Sequence, residues 1–125
     1  MAFTVSIIED DRAISAMYEF KLARSGYDVS VAYDGVEGLK LVKSSQPDLI
    51  LLDLKMPHMN GEDMLEKLRS TKWGSGVRVV ILTNLSKSEA PHKLRFLNVE
   101  RYIFKAHHTP TQVVEIVNEI LIPAK

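Results

Sequence analysis

Short apolar runs and helical stripes alternate along the whole chain. Phe3 to Ile8 is an apolar run that ends abruptly in Glu9, Asp10 and Asp11. Ile14, Met17, Tyr18 and Leu22 follow at helical spacing, with Gly26 placed to close that helix as its C′ residue. Val29 to Ala32 reads as a second strand, and Asp34-Gly35 as the turn or cap before a helix carrying Leu39 and Val42. Pro47 introduces Leu49-Ile50-Leu51-Leu52, a continuous apolar run of the kind buried on both faces of a sheet.

The second half repeats the alternation. Met64, Leu65 and Leu68 mark a helix after Gly61, and Val77 to Leu82 is the next buried strand. Leu94 and Leu97 belong to a weaker helix with Pro91 in its first turn and Asn98 as a left-handed cap. Tyr102 to Phe104 is the last strand. Thr109-Pro110-Thr111-Gln112 combines an N-cap Thr, Pro at the first helical position and Gln at the third, completing a capping box. Val113, Val114, Val117, Ile120 and Leu121 form the stripe of that helix, and Pro123 stops it. Five strands alternating with five helices predict an α/β fold, a parallel sheet covered on both faces through right-handed crossovers.

Composition narrows the functional classes. At 125 residues the chain is about one domain. Lys and Arg number 16 against 16 Asp and Glu, so no basic field points to direct nucleic-acid binding. There is no Cys, which excludes disulfides, thiolate metal sites and Cys nucleophiles. The N-terminus has no signal-peptide layout, and no apolar run approaches the roughly 20 residues of a membrane span. A cytoplasmic protein without membrane contact is expected.

The polar residues gather at strand ends. Glu9 and Asp10 follow the first strand, Asp53 the third, Thr83 ends the fourth and Lys105 follows the fifth. Open α/β sheets bind ligands at the C-terminal ends of their strands, so groups far apart in sequence should meet in one crevice. Clustered carboxylates raise one another's pKa unless a cation is present. An all-oxygen site without His or Cys suits a hard ion, and a few carboxylates plus waters suit Mg²⁺. One carboxylate is then free to act as a nucleophile on a phosphoryl group whose charge the metal and Lys105 offset.

The segments I-I-E-D-D at 7–11, L-L-D-L-K-M-P-H-M-N-G at 51–61, I-L-T at 81–83 and Y-I-F-K at 102–105 resemble response-regulator receiver domains of two-component systems, across essentially the whole chain. The resemblance implies a flavodoxin-like, doubly wound (βα)5 sandwich with strand order 2-1-3-4-5, as in chemotaxis receivers. It implies a single receiver domain over residues 1–125, with no output domain among them. Asp53 would be the phosphoacceptor. Asp10 would ligate Mg²⁺ directly, Glu9 would act beside it through water, and Asp53 and the backbone carbonyl of Lys55 would complete the protein's share. Mn²⁺ would serve as a substitute. Lys105 would hold a phosphoryl oxygen, and Thr83 would hydrogen-bond the phosphoryl group and draw its loop inward. Tyr102 matches the aromatic switch position, which moves from exposed to buried on activation. The fourth helix, fifth strand and fifth helix would present the altered surface to a downstream protein, and the same face is a candidate for homodimerisation. The donor implied is phosphohistidine on a sensor histidine kinase or phosphotransfer protein. Self-phosphorylation and self-dephosphorylation would be weak activities of what is principally a switch.

Plainer roles compete for each residue. Glu9, Asp10 and Asp11 could cap the first helix, a role expected of Asp11. Asp53 could be a turn residue, Thr83 an ordinary strand end, Lys55 and Lys105 solvated lysines, and Tyr102 a packing aromatic. His107 and His108 invite a metal reading, but adjacent residues rarely face one ion, and they are read as loop. Two departures from the family bear on access and rate. Asn84 stands where receivers carry a small residue. Ala106 stands where Lys is usually followed by Pro across a cis peptide, and a cis Lys105–Ala106 bond is expected here to keep Lys105 aimed. Other classes fit less well. A binding module acting without phosphorylation has no need of all five polar groups. An aspartyl phosphatase would carry a second acid where Lys55 stands, and a flavin phosphate would be repelled by the acids after the first strand.

Overall fold

Among the described residues there are five strands, β1 (Thr4–Ile8), β2 (Asp28–Ala32), β3 (Leu49–Leu52), β4 (Arg78–Thr83) and β5 (Arg101–Phe104), and four α-helices, α1 (Arg12–Arg24), α2 (Gly35–Ser45), α3 (Gly61–Arg69) and α4 (Pro110–Leu121), one after each strand except β4. The computed structural model describes residues 2–86 and 88–122. The strands form one parallel sheet of order β2-β1-β3-β4-β5, the order the resemblance implied. The β1, β2, β4 and β5 boundaries shift by one residue from the predicted ones, and β3 matches.

Alternation along the strands divides the core. Val5, Ile7, Leu49, Leu51, Val80, Leu82 and Ile103 pack with Tyr18 and Leu22 of α1 and Val113, Val117 and Leu121 of α4. Ile8, Ile50, Leu52, Val79 and Ile81 point the other way, onto Val42 of α2 and Met64, Leu65 and Leu68 of α3. All four residues of β3 are buried, as a central strand covered on both faces requires.

Side-chain caps set where the helices begin. Asp11 accepts from the Ile14 N–H at 3.0 Å, Asp34 from Glu37 at 2.8 Å and Asn60 from Asp63 at 2.9 Å. Thr109 and Gln112 form the predicted reciprocal capping box. Gly26 has φ +97°, the left-handed backbone that ends α1. Pro123, expected to stop the last helix, lies outside the described residues.

Two expectations are corrected. The fourth predicted helix is a 3₁₀ turn, His92–Phe96, with only Leu94 buried. Pro91 and Asn98 bracket a stretch too short to repay helix nucleation, and Asn98 does take the left-handed conformation, with φ +56°. The turn is tethered from α3 instead. Lys93 Nζ donates to Asp63 at 2.8 Å, and Arg69 donates to the carbonyls of Leu97 (2.8 Å) and Asn98 (2.9 Å). The same guanidinium donates to the carbonyls of Gly74, Ser75 and Val77, tying down the connection into β4. The second correction is the Lys105–Ala106 peptide, which is trans. Without proline a cis bond costs about 3–4 kcal/mol, and the chain turns instead through a short 3₁₀ segment, Lys105–His107.

Candidate functional site

Topology decides which strand ends meet. The order reverses at β1, whose neighbours are β2 on one side and β3 on the other, so the crevice opens above the ends of β1 and β3. Ile8 lies opposite Leu52 in the parallel register, which sets Glu9 and Asp53 side by side just past the last ladder pair. Their backbones are still held: Glu9 N donates to the Ala32 carbonyl and Asp53 N to the Ile8 carbonyl, each at 3.0 Å. Thr83 ends β4 opposite Phe104, the residue before Lys105.

The loop after Asp53 is held tightly from below. Gly61 N donates to the Leu54 carbonyl at 2.9 Å, and a Cβ on Gly61 would lie 2.0 Å from the Asp53 carbonyl oxygen. Only glycine allows this approach. Further along, His58 Nδ1 pairs with Asp34 Oδ2 at 2.9 Å, joining the loop to the start of α2.

Carboxylate oxygens of Glu9, Asp10 and Asp53 lie within 4.8 Å of one another. Glu9 is 3% exposed and Asp53 7%, whereas Asp10 is open to solvent. Asp53 Oδ1 accepts from the Leu54 N–H at 2.8 Å, and Lys105 Nζ stands 3.6 Å from Asp53 Oδ2. Lys105 is hydrogen-bonded and ion-paired to Glu9 Oε1, while Glu9 Oε2 accepts from the Asp11 N–H at 3.0 Å. Burial pushes the Glu9 carboxyl up from 4.5 to about 7. The Lys105 and Asp11 hydrogen bonds pull it back, and the Asp53 charge adds to the rise. Burial alone would lower the Lys105 ammonium, but its bond to Glu9 and the negative charge of Asp53 and Glu9 raise it overall.

The remaining predicted residues lie around this centre. Thr83 is buried, and its Oγ1 accepts from the Leu85 N–H at 3.4 Å. Tyr102 is half-buried, and its hydroxyl donates to the Leu85 carbonyl at 3.3 Å. Lys55, Asn84 and Ala106 have exposed side chains. Among the described residues, the group of acids and histidines close enough to share an ion is Glu9, Asp10 and Asp53, without His107 or His108. The direct Lys105–Glu9 pair and the Asp34–His58 tie had no sequence signal, since each joins loops on different strands.

The donor set is oxygen only, anionic and partly open to solvent, which fits a hard divalent cation. The Asp53 carboxylate of this set, with an ammonium 3.6 Å away, is chemically suited to receiving a phosphoryl group. Fold and crevice together define a doubly wound, single-sheet domain with an acidic metal- and phosphoryl-suited site at its switch point. The family model for the response regulator receiver domain matches residues 5–118, and the chain belongs to that family, the receiver domains of two-component signalling. Response regulator MprA of Mycobacterium ulcerans (strain Agy99) is 36% identical over 83 residues, 66% of this chain and 35% of that protein. The chain thus spans about a third of the length of the curated relatives it matches. Among solved structures, chemotaxis response regulator CheY4 of Vibrio cholerae shares the fold with a TM-score of 0.87 at 22% identity, over 97% of this chain and 100% of that one. The phosphorylated cyanobacterial phytochrome response regulator RcpA superposes with a TM-score of 0.84 at 25% identity, over 100% of this chain and 98% of that one. Among the described residues no helix is long and apolar enough to cross a membrane.

Proposed function

We propose that this receiver domain accepts a phosphoryl group on Asp53 from phosphohistidine of a sensor histidine kinase or phosphotransfer protein, in a reaction that requires Mg²⁺. The observation that carries the reading is the meeting of Glu9, Asp10, Asp53 and Lys105 at the switch point of the sheet. RcpA, a relative of matching fold, is itself a phosphorylated response regulator. Glu9, Asp10, Asp53 and the Lys55 carbonyl would hold the cation, which when bound offsets the charge on phosphoryl oxygens; Mn²⁺ would fit the same oxygens.

In the transfer, an Asp53 carboxylate oxygen attacks phosphorus as the P–N bond of the donor breaks. The electron pair stays on the imidazole nitrogen, which takes up a proton. The Leu54 N–H on Asp53 Oδ1 fixes the carboxylate's orientation, and Lys105 lies on the Oδ2 side, where it can bond a phosphoryl oxygen. Thr83 and Tyr102 are joined through one residue. Turning the Thr83 hydroxyl inward to the phosphoryl group gives up its bond to Leu85 N–H, and Tyr102 holds the carbonyl of that same Leu85. Movement of Leu85 therefore reaches Tyr102 and the surface made by the 3₁₀ turn, β5 and α4, which would engage a downstream protein or a second copy of the chain. Water attack on the acyl phosphate resets the switch.

The test is intact-protein mass after incubation with a small acyl phosphate, with and without Mg²⁺. A gain of one phosphoryl group that needs Mg²⁺ and is lost in Asp53→Asn is expected. No gain from either the small donor or a kinase would instead favour a module that binds without phosphorylation.

A further inference from the structure

The chain leaves β2 and β3 on either side of β1, and the two exits are tied together across the end of β1, where Glu9 and Asp10 begin. Asp34, the N-cap of α2, gives Oδ1 to the Glu37 N–H and Oδ2 to His58 Nδ1 at 2.9 Å. The hydrogen bonds from Glu37 and His58 hold the Asp34 carboxyl below its usual range. A carboxylate only accepts, so the ring nitrogen facing it carries the hydrogen. Beside it, Gly35 N donates to the Met59 carbonyl at 3.0 Å, so close that a Cβ on Gly35 would stand 2.4 Å from that oxygen. His58 itself has φ +66°, in the left-handed region that is costly for a residue with a Cβ. Such a residue persists where its surroundings over-determine it, and the ties to Asp34 and Gly35 do so here. The stretch from Lys55 to Pro57 is thus anchored at one end by the Leu54–Gly61 hydrogen bond and at the other by His58 and Met59. Among the described residues the Lys55 backbone has no hydrogen-bond partner of its own, so these anchors set where its carbonyl points.

We propose that Asp34 and His58 are a positioning pair for the acceptor loop, holding a strained His58 backbone in place so that the Lys55 carbonyl is presented to the divalent cation. The inference rests on the metal-site reading above and adds two residues outside the site that set its affinity. His58 acts through the backbone and is not a ligand, since the residues close enough to share an ion are Glu9, Asp10 and Asp53.

The experiment titrates Mg²⁺ by calorimetry and Mn²⁺ by electron paramagnetic resonance into the full chain and its variants, and melts each one without metal. His58→Gly removes the tie together with the left-handed strain, so it should melt near or above the parent's temperature. It should nevertheless bind either ion at least about five-fold more weakly, somewhat less than the roughly 10–100-fold supplied by a partner bonded directly to a ligand. His58→Asn tolerates the left-handed backbone and puts an amide N–H where Nδ1 stands, so its affinity should stay within about two-fold of the parent's. Asp34→Ser keeps the N-cap acceptor but has no second oxygen for His58. It should match the loss in His58→Gly, and the double variant should lose no more than either single one. Parent affinity in His58→Gly, equal weakening in His58→Asn, or a weakening that follows a lowered melting temperature overturns the inference alone. A parent chain that binds neither ion overturns the metal-site reading as well. Reciprocity of coupling gives a reading that needs no variant: Mg²⁺ should slow hydrogen exchange of the parent's Gly35 amide at least about five-fold, and unchanged exchange overturns the inference.

Discussion

Substituting Gly61 by alanine should injure the site from beneath without touching any of its polar groups. An added Cβ would stand 2.0 Å from the Asp53 carbonyl oxygen, 2.9 Å from its carbonyl carbon and 3.0 Å from Leu54 Cα. Close carbon–oxygen contacts settle at about 3.3 Å, so backbone must retreat by roughly 1 Å. The atoms in the way are backbone atoms of Asp53 and Leu54, and no flexible side chain can absorb the clash. Overpacking of this kind costs about 1–3 kcal/mol, which should lower the melting temperature by several degrees. The Gly61–Leu54 hydrogen bond and the Leu54 N–H that orients Asp53 Oδ1 would move together. A displacement near 1 Å at a reacting group can cost about 100-fold in rate. The assay pairs thermal unfolding of Gly61→Ala with its phosphorylation rate from a small acyl phosphate, read by intact mass. An unchanged melting temperature, or a lowered one with the parent's rate, would refute the link between Gly61 and the orientation of Asp53.

Three further outcomes follow from the same geometry. Because burial raises Glu9 from 4.5 to about 7, the metal-free fold is favoured by this group below pH 4.5 and loses that contribution as pH rises through about 7. The loss is on the order of 3 kcal/mol, and chemical denaturation across that range should show it in the parent and not in Glu9→Gln. Arg69→Met strips five backbone carbonyls of their donor and should cost about 2–4 kcal/mol by urea denaturation; a cost under about 1 kcal/mol would mean the carbonyls find other partners. Asn84→Ala should be phosphorylated faster by small donors than the parent, since it removes bulk beside Thr83; equal or slower mass gain would show that Asn84 does not obstruct the crevice.

Periodicity made the architecture legible wherever burial is strong. β3, with every residue inside, was readable to its ends, and the caps at Asp11, Asp34 and Thr109 were visible because a short polar side chain stands just before each stripe. The stretch from Pro91 to Asn98 was misread because two leucines at helical spacing suggest a helix, whereas its anchors, Arg69 and Lys93, act across space. The trans Lys105–Ala106 peptide was missed for a related reason. A habit of Lys-Pro sequences was extended to a residue that lacks the ring responsible for it. Convergence of Glu9, Asp10, Asp53, Thr83 and Lys105 on one end of the sheet followed from strand polarity alone. How Lys105 divides itself between Glu9 and Asp53 did not, because that depends on side-chain reach within the crevice.

The separation of the core into two clusters makes the sheet a partition. Ile7 and Leu51 belong to the compartment under α1 and α4, while Ile8 and Leu52, one residue along, belong to that under α2 and α3. Packing changes within one compartment should be strongly non-additive, and changes in opposite compartments nearly independent. Asp53 stands at the rim of this wall, where both compartments end. A disturbance there can be passed to one side of the molecule while the other keeps its packing, so one half can serve as a rigid mount for the half that responds.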